Sequence, residues 1–275
     1  MNCNICKNPT SELFKIKILN KYNVTYFECG ICKFIQTENP FWVAEAYENI
    51  ITNLDIGLIN RNLYLRETIP NLIDLFFPES KILIDYGGGY GMFVRMMRDM
   101  GYNYYRQDLY CENLFAKNFD IGDASEQTFD ILSAFEVFEH LVNPLDEIEK
   151  MFNLSSNIIF STLLTPENKD EIQNWWYLSP LTGQHISLYR LETLEFIAKL
   201  FSKKLYTNKN NLHVFSDHAI DEKNVRKIFN RKKKTILNRV EDKVLAYLEP
   251  KKIRLSLLDS DYKIIENKLL QNRTN

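Results

Sequence analysis

The sequence contains no apolar stretch that approaches the roughly 18 to 20 residues needed for a membrane-spanning helix. It also has no basic stretch followed by an apolar block near its start, so no secretory signal is expected and the predicted location is cytoplasmic. The formal net charge is only −2 over 275 residues, which excludes a strong overall attraction to nucleic acid or anionic lipid. Hydrophobic residues make up 45% of the chain and charged residues 25%, as is typical of a globular protein.

Histidine and glycine are both scarce, with four and nine residues respectively. Histidine is the side chain best suited to take a proton near neutral pH, so the few histidines limit the candidates for a general base. The four are His140, His185, His213 and His218. Four of the nine glycines lie between positions 87 and 91, which singles out that stretch as a special turn.

Four of the five cysteines form two Cys-x-x-Cys pairs. The pairs are Cys3 with Cys6 and Cys29 with Cys32. Two such turns supply the four thiolates that tetrahedral structural zinc prefers. Residues 14–19 and 24–28 are predicted to be strands around a turn, so residues 1–40 are expected to form a zinc-ribbon module. Two disulfides are the alternative, which a chain without an export signal disfavours.

The glycine-rich stretch follows a short apolar run that ends in Asp85, a pattern typical of a buried parallel strand. Glycines directly after a strand let the backbone turn sharply and approach a ligand closely before a helix begins, here expected at residues 92–100. A dinucleotide-binding Gly-x-Gly-x-x-Gly would need a glycine in place of Met92. The glycines instead alternate, at Gly87, Gly89 and Gly91.

Residues 82–91, Ile-Leu-Ile-Asp-Tyr-Gly-Gly-Gly-Tyr-Gly, resemble motif I of the class I S-adenosylmethionine-dependent methyltransferases. Further family motifs follow in the family's order. These are Asp108 after a second strand, Asp123 in an acidic loop, and the stretch 128–141, in which a Phe-Asp strand precedes a Glu-His pair. The resemblance covers roughly residues 40–217. It implies an α/β fold with a Rossmann-like, seven-stranded sheet and helices on both faces, assigned to residues 41–218.

The resemblance also implies a cofactor site for S-adenosylmethionine at the carboxyl ends of the strands. Asp108 is expected to accept hydrogen bonds from both ribose hydroxyls, and Asp123 is expected to face the adenine amine. The full set of expected cofactor-binding residues is Asp85, Gly87, Gly89, Gly91, Asp108, Asp123, Phe135 and Glu136.

Two histidines are candidate catalytic residues. His140 follows the fourth strand, and His185 lies in an aromatic-rich connection, residues 175–189. This connection resembles the His-Ile-Ser segment of methyltransferases encoded among sugar and surface-polysaccharide enzymes. The expected acceptor is therefore a small molecule, a sugar nucleotide or another glycan precursor from polysaccharide biosynthesis. The expected acceptor wall is Trp175, Trp176 and Tyr177. Structural roles for both histidines remain open alternatives.

Two other functions are compatible with the sequence. An RNA methyltransferase would use the basic cluster at residues 226–234, but no Asn-Pro-Pro-Tyr-like segment follows the fourth strand. A non-enzymatic zinc-ribbon scaffold is the second alternative. Residues 219–275 are expected to form a helical, basic extension, and the oligomeric state is left open. The apolar positions of this extension that have near-helical spacing are Ile236, Val240, Val244, Leu245 and Leu248.

Overall fold

The structure is a computed structural model that describes residues 1–48, 52, 54–229 and 254–271. Its strands are β1 Thr10–Ile18, β2 Tyr22–Cys29, β3 Ile35–Thr37, β4 Leu83–Tyr86, β5 Tyr104–Gln107, β6 Ile131–Phe135, β7 Ile158–Ser161, β8 Ser187–Leu188, β9 Lys204–Thr207 and β10 Leu212–Ser216. Its α-helices are α1 Val43–Ala46, α2 Leu58–Phe76, α3 Met92–Asp99, α4 Pro144–Leu154, α5 Lys169–Gln173, α6 Leu191–Leu200, α7 Glu222–Phe229 and α8 Leu258–Gln271.

Within the described residues, the central sheet has six strands in the order β5-β4-β6-β7-β10-β9. Strands β5, β4, β6 and β7 are parallel, while β10 and β9 are antiparallel to their neighbours. The apolar side chains of β4, β6 and β7 are buried, as expected for parallel strands covered on both faces. The chain passes from β4 to β5 on one side and then crosses to β6 on the other. This reversal opens a crevice at the carboxyl ends of β4 and β6, where such folds bind ligands.

The mixed α/β, Rossmann-like fold confirms the predicted fold class, but the prediction of seven strands is wrong by one. The segment that contains Asp120 pairs with β5 at a single bridge, between Asp120 and Arg106. Asn118 adopts a positive φ of 70°, and a 3₁₀ turn begins at Ile121. The residues between Asn118 and Ile121 are too few to form a seventh strand with regular hydrogen bonds to β5.

The N-terminal residues form a second, antiparallel sheet in the order β1-β2-β3-β8. The predicted hairpin corresponds to β1 and β2, whereas β8 comes from the aromatic connection 175–189. The module packs on the segments that follow β6 and β8, because Cys29 and Phe34 share an apolar cluster with Phe138 and Tyr189. The rings of Phe34 and Tyr189 lie 5.2 Å apart. The boundaries proposed at residues 40 and 218 stay predictions.

The C-terminal residues 254–271 lie against α2 and α3. Arg98 of α3 forms a buried ion pair with Asp261 of α8, at 2.6 Å between Nη2 and Oδ1. Arg254 pairs with Asp74 of α2 at 3.0 Å. The basic residues 231–234 and the apolar positions between 236 and 248 lie outside the described residues. Within the described ranges, no helix combines the length and apolar character required to cross a membrane.

Candidate active site

The glycine loop leaves β4 and turns sharply into α3. Gly87 and Gly91 have φ values of 69° and 83°, in the left-handed region that favours glycine. A Cβ atom would lie 2.7 Å from Val137 Cγ2 at the first position and 2.8 Å from Asn113 Oδ1 at the second. The backbone and its packing therefore both require glycine at these two positions.

Asp85 lies next to this loop, in register with Ser133 of β6. Its carboxyl group is 4% exposed, and Oδ1 accepts a hydrogen bond of 2.5 Å from the Ser133 hydroxyl. Burial raises the pKa of Asp85 to about 7; the charge of Asp108 adds to this rise, while the Ser133 hydrogen bond opposes it.

Asp108 follows β5 and organises the adjoining loops. Its Oδ2 accepts a hydrogen bond of 2.9 Å from the Gly89 N–H. Its Oδ1 accepts bonds of 2.8 Å and 2.7 Å from the N–H groups of Tyr110 and Cys111. A carboxylate has about four acceptor positions, so these three bonds leave about one for a ligand. The expected pair of ribose hydrogen bonds therefore exceeds what this arrangement offers.

Arg106 supports the same loops and was not identified from the sequence. Its guanidinium is buried and donates to Asp120 Oδ1 at 2.7 Å, to the carbonyl of Cys111 at 3.0 Å and to the carbonyl of Gly89. The pairing of β4 with β5 places Arg106 in register with Asp85. Only the strand register reveals this role.

Asp123, the expected adenine contact, lies away from the other candidate residues. Its Oδ1 pairs with Lys268 Nζ of α8 at 2.8 Å, and its Oδ2 accepts a bond of 3.1 Å from the Asp120 N–H. Asp123 is not among the residues that line the cavity described below. Its placement gives no support to a contact with the cofactor.

Phe135 and Glu136 stand at the end of β6 and line the cavity. Glu136 has a φ of 55°, a conformation that costs a non-glycine residue about 1–3 kcal/mol. Its carboxyl group accepts a hydrogen bond of 2.6 Å from the Ser161 hydroxyl. Burial and the charge of Glu139 raise the pKa of Glu136 to about 7.

The two candidate catalytic histidines lie side by side. The ring centroids of His140 and His185 are 4.9 Å apart, with planes at 81°. His140 Nδ1 donates to the Gln184 carbonyl at 3.1 Å, and His185 Nδ1 donates to the Tyr177 carbonyl at 2.5 Å. Burial lowers the pKa of His140 to about 4 and that of His185 to about 3. Both rings are therefore neutral at pH 7, with the proton on Nδ1.

Glu139 is fully buried behind the histidines. Its Oε1 accepts a hydrogen bond of 2.5 Å from the Tyr177 hydroxyl, whereas Oε2 has no hydrogen-bond partner within the described part of the chain. Burial raises the pKa of Glu139 to about 7, against the lowering effect of the Tyr177 bond. The sequence places this glutamate in a Glu-His pair but carries no signal of its burial.

The three aromatic residues expected to form an acceptor wall have different surroundings. Trp176 and Tyr177 line the cavity, and Trp176 is 74% exposed. Trp175 is absent from the lining and packs instead on the apolar cluster around β1 and β2. His213 lies outside this region, is fully buried and bonds Thr207 Oγ1 and the carbonyl of Thr162. These contacts give it a structural role in the central sheet.

The glycine loop, the carboxyl ends of β4 to β6 and the two histidines line one cavity of about 810 Å³, within the range of roughly 300–1,000 Å³ common for small-molecule sites. Arg61 of α2 also lines it and forms two hydrogen bonds to Asp55 of 3.1 and 2.8 Å. Tyr47, after α1, reaches the rim beside His140. No motif marked Arg61, Asp55 or Tyr47, since all three precede the glycine loop in sequence.

The four paired cysteines converge at one point, with all four sulfur atoms within 4.8 Å of one another. Sγ of Cys3 lies 3.5 Å from that of Cys32, and Sγ of Cys6 lies 3.3 Å from that of Cys29. These separations are too long for disulfides, whose sulfur atoms lie about 2.05 Å apart. Four sulfurs in this arrangement resemble the ligand set of a closed zinc site.

The fold and the crevice residues define a Rossmann-like α/β domain with a cavity beside the glycine loop. The methyltransferase-domain family matches residues 60–201, which is more than half of the chain. The chain therefore belongs to this methyltransferase-domain family.

Several solved structures are similar in part. An O-methyltransferase family 2 protein from Planctomyces limnophilus, in complex with apigenin, has 11% identity and a TM-score of 0.44, over 59% of this chain and 60% of its own. The plantazolicin methyltransferase BpumL, with a monoazolic desmethylPZN analog and SAH, has 14% identity and a TM-score of 0.46, over 64% and 93%. An O-methyltransferase family protein from Burkholderia thailandensis has 10% identity and a TM-score of 0.41, over 58% and 59%.

The chain thus spans less than two thirds of the Planctomyces and Burkholderia proteins. No curated protein matches the chain in sequence.

Proposed function

We propose that the protein methylates a small acceptor molecule whose reacting group lies against His140 and His185. The observation that supports this proposal best is the pair of neutral imidazoles in the wall of the same cavity that begins at the glycine loop. A sugar nucleotide or another precursor of a surface glycan is the proposed acceptor. The family resemblance of the aromatic connection 175–189 is the basis for this acceptor class.

The residues of the crevice fit S-adenosylmethionine, which supplies an electrophilic methyl group on a sulfonium when bound. Asp108 keeps about one acceptor position for a ribose hydroxyl, and Gly89 lines the cavity without a side chain to obstruct it. Among the described residues, six carboxyl groups and two cationic side chains line the cavity. This acidic lining favours a cofactor that carries a sulfonium and an amino group.

At the acceptor end, the chain's own residues position the acceptor and receive its proton. With no metal ion bound to the imidazoles, Nε2 of His140 or His185 takes the proton directly, since Nδ1 of each ring already donates to a backbone carbonyl. Trp176 and Tyr177 provide the apolar wall that holds the acceptor. General-base catalysis of this kind contributes about 10²- to 10⁴-fold in rate.

The two cationic side chains that line the cavity are Arg61 and Lys150. Each is paired with a carboxylate, Arg61 with Asp55 and Lys150 with Glu147. We assign them to the phosphate groups of a nucleotide-linked acceptor, which would replace these carboxylates as their partners. An acceptor without phosphates would leave both ion pairs unchanged.

We further propose that the four cysteines bind structural zinc and that residues 1–40 form the zinc module. The N–H groups of Ile5 and Ile31 point to the sulfurs of Cys3 and Cys29, each at 3.4 Å, an arrangement that stabilises thiolate charge. So small a unit needs metal binding for its folding energy. The methyltransferase domain then covers residues 41–218, the basic extension covers residues 219–275, and we propose a cytoplasmic location.

Calorimetric titration of the zinc-loaded protein with S-adenosylmethionine and with NAD tests the cofactor assignment. Micromolar binding of the first compound alone is expected. Production of S-adenosylhomocysteine is then measured with a nucleotide-linked sugar, the free sugar and a phenol. Turnover only with the nucleotide-linked sugar supports the acceptor class, whereas turnover only with the phenol contradicts it.

Three histidine variants test the catalytic assignment. His140→Ala and His185→Ala are expected to bind the cofactor normally and to lose about 10²-fold or more in turnover. His218→Ala is the matched control, because His218 is exposed and lies outside the cavity. Full turnover in both His140→Ala and His185→Ala would rule out a catalytic role for the pair.

A further inference from the structure

Glu139, His140 and His185 form a compact group of potential metal ligands. Each offers one ligand atom, and these atoms lie within 4.8 Å of one another. The group combines two residues that are adjacent in sequence with a third from the connection 175–189. It is separate from the four-cysteine cluster and has no thiolate.

The hydrogen bonds of the two imidazoles fix which nitrogen of each ring can bind an ion. A carbonyl oxygen only accepts hydrogen bonds, so Nδ1 must carry the proton in both His140 and His185. The lone pair of each ring is therefore on Nε2. Histidines that bind metals commonly donate their other ring N–H to a backbone carbonyl or carboxylate in this way.

The carboxyl group of Glu139 completes the group. It is fully buried, and a buried charge requires a partner. Oε1 has one in the Tyr177 hydroxyl at 2.5 Å, but Oε2 has none among the described residues. The same Tyr177 accepts the His185 Nδ1–H at its carbonyl, so a single residue orients two of the three ligand groups.

We propose that Glu139, His140 and His185 bind a divalent transition-metal ion, as a set of two histidines and one carboxylate that leaves coordination positions open. Ligands at about 2.1 Å from one ion lie roughly 3.4 Å apart in a tetrahedral arrangement, which is inside the 4.8 Å limit of this group. His140 and His185 line the cavity. An ion bound to them would therefore lie at the cavity wall.

The ion would change how the acceptor is activated. A lone pair that holds a metal cannot also take a proton, so the direct proton transfer described above would be replaced. The ion would instead contact an acceptor oxygen and lower its pKa. This consequence rests on the proposed function, whereas metal binding itself does not.

Cobalt titration of the tag-free protein, with its cysteine cluster loaded with zinc and without cofactor or acceptor, tests the proposal. One further equivalent of Co²⁺ is expected, with visible d–d absorption and no sulfur-to-cobalt charge-transfer band. Glu139→Gln and His185→Gln should each weaken this binding at least tenfold. Tyr177→Phe should weaken it about 10- to 100-fold, because it removes the hydroxyl that orients Glu139. His218→Ala should retain full binding.

Thermal unfolding and calorimetry with S-adenosylhomocysteine show whether each variant is folded and still binds cofactor. The proposal is overturned if the wild-type protein takes up no further cobalt. It is equally overturned if folded Glu139→Gln and His185→Gln proteins bind cobalt as the wild type does. If the wild-type protein does not bind S-adenosylhomocysteine, the proposed function is contradicted. The cobalt result can still be interpreted in that case.

Discussion

Replacement of Asp108 by alanine tests the cofactor site most directly. The carboxylate accepts three backbone hydrogen bonds, from Gly89, Tyr110 and Cys111, which leaves about one acceptor position for the ribose. A hydrogen bond to a charged group contributes about 1.5–3 kcal/mol. Since each 1.4 kcal/mol is tenfold in affinity, Asp108→Ala should weaken binding of S-adenosylmethionine about 10- to 150-fold.

A second variant separates the ribose contact from the organisation of the loop. Asp108→Asn keeps one carbonyl oxygen, which can still accept backbone hydrogen bonds, but it loses the charge. It should therefore fall between the wild-type protein and Asp108→Ala in affinity. Asp123→Ala is the matched control, because Asp123 pairs with Lys268 and does not line the cavity.

Isothermal calorimetry with S-adenosylmethionine and S-adenosylhomocysteine measures these differences, and circular dichroism checks that each variant is folded. Asp123→Ala should bind both compounds as the wild type does. If Asp108→Ala binds within twofold of the wild type, the ribose contact is refuted. A large loss in Asp123→Ala would show that the adenine lies at the acidic loop after all.

Three further predictions concern stability. The pKa of buried His213 is about 4, below its ordinary 6.5, so unfolding takes up a proton and stability falls as pH drops below 6.5. In urea titrations, the loss from pH 7.5 to 5.5 should be about 1.3 kcal/mol smaller in His213→Gln. Asp261→Ala leaves Arg98 buried without its ion pair and should cost about 3–5 kcal/mol, while the exposed Asp259→Ala changes nothing. Cys32→Ser should lower the unfolding temperature and abolish any further effect of a zinc chelator. An unchanged pH dependence in His213→Gln would contradict the first assignment, and an unchanged free energy of unfolding in Asp261→Ala would contradict the second. A wild-type response to the chelator in Cys32→Ser would contradict the third.

The central features of the fold were predictable because their signals are local. An apolar run, clustered glycines and a following helix are adjacent in sequence, and so are the strands and turn of the N-terminal hairpin. The missing seventh strand was not predictable in this way. The left-handed Asn118 and the 3₁₀ turn at Ile121 end the extended segment early, and neither has a strong sequence signal.

The supporting residues of the site were missed because their partners are distant in sequence. Arg106 acquires its role only when β5 lies beside β4. Asp123 is expected at the cofactor from its position in a motif, whereas its pairing with Lys268 depends on the docking of α8. Residue identity singles out several of the side chains that line the cavity, but not the contacts that orient them.

The two ends of the cavity are supported by different parts of the molecule. The cofactor end rests on the parallel strands β4 to β6, whereas the segment that carries His185 is held by the N-terminal sheet. Strand β3 pairs with β8, the Tyr26 hydroxyl donates to the His185 carbonyl at 3.1 Å, and the Trp42 indole donates to the Gly183 carbonyl at 2.9 Å. Disruption of the cysteine cluster should therefore impair turnover more than cofactor affinity, since it loosens the acceptor end and leaves the glycine loop in place.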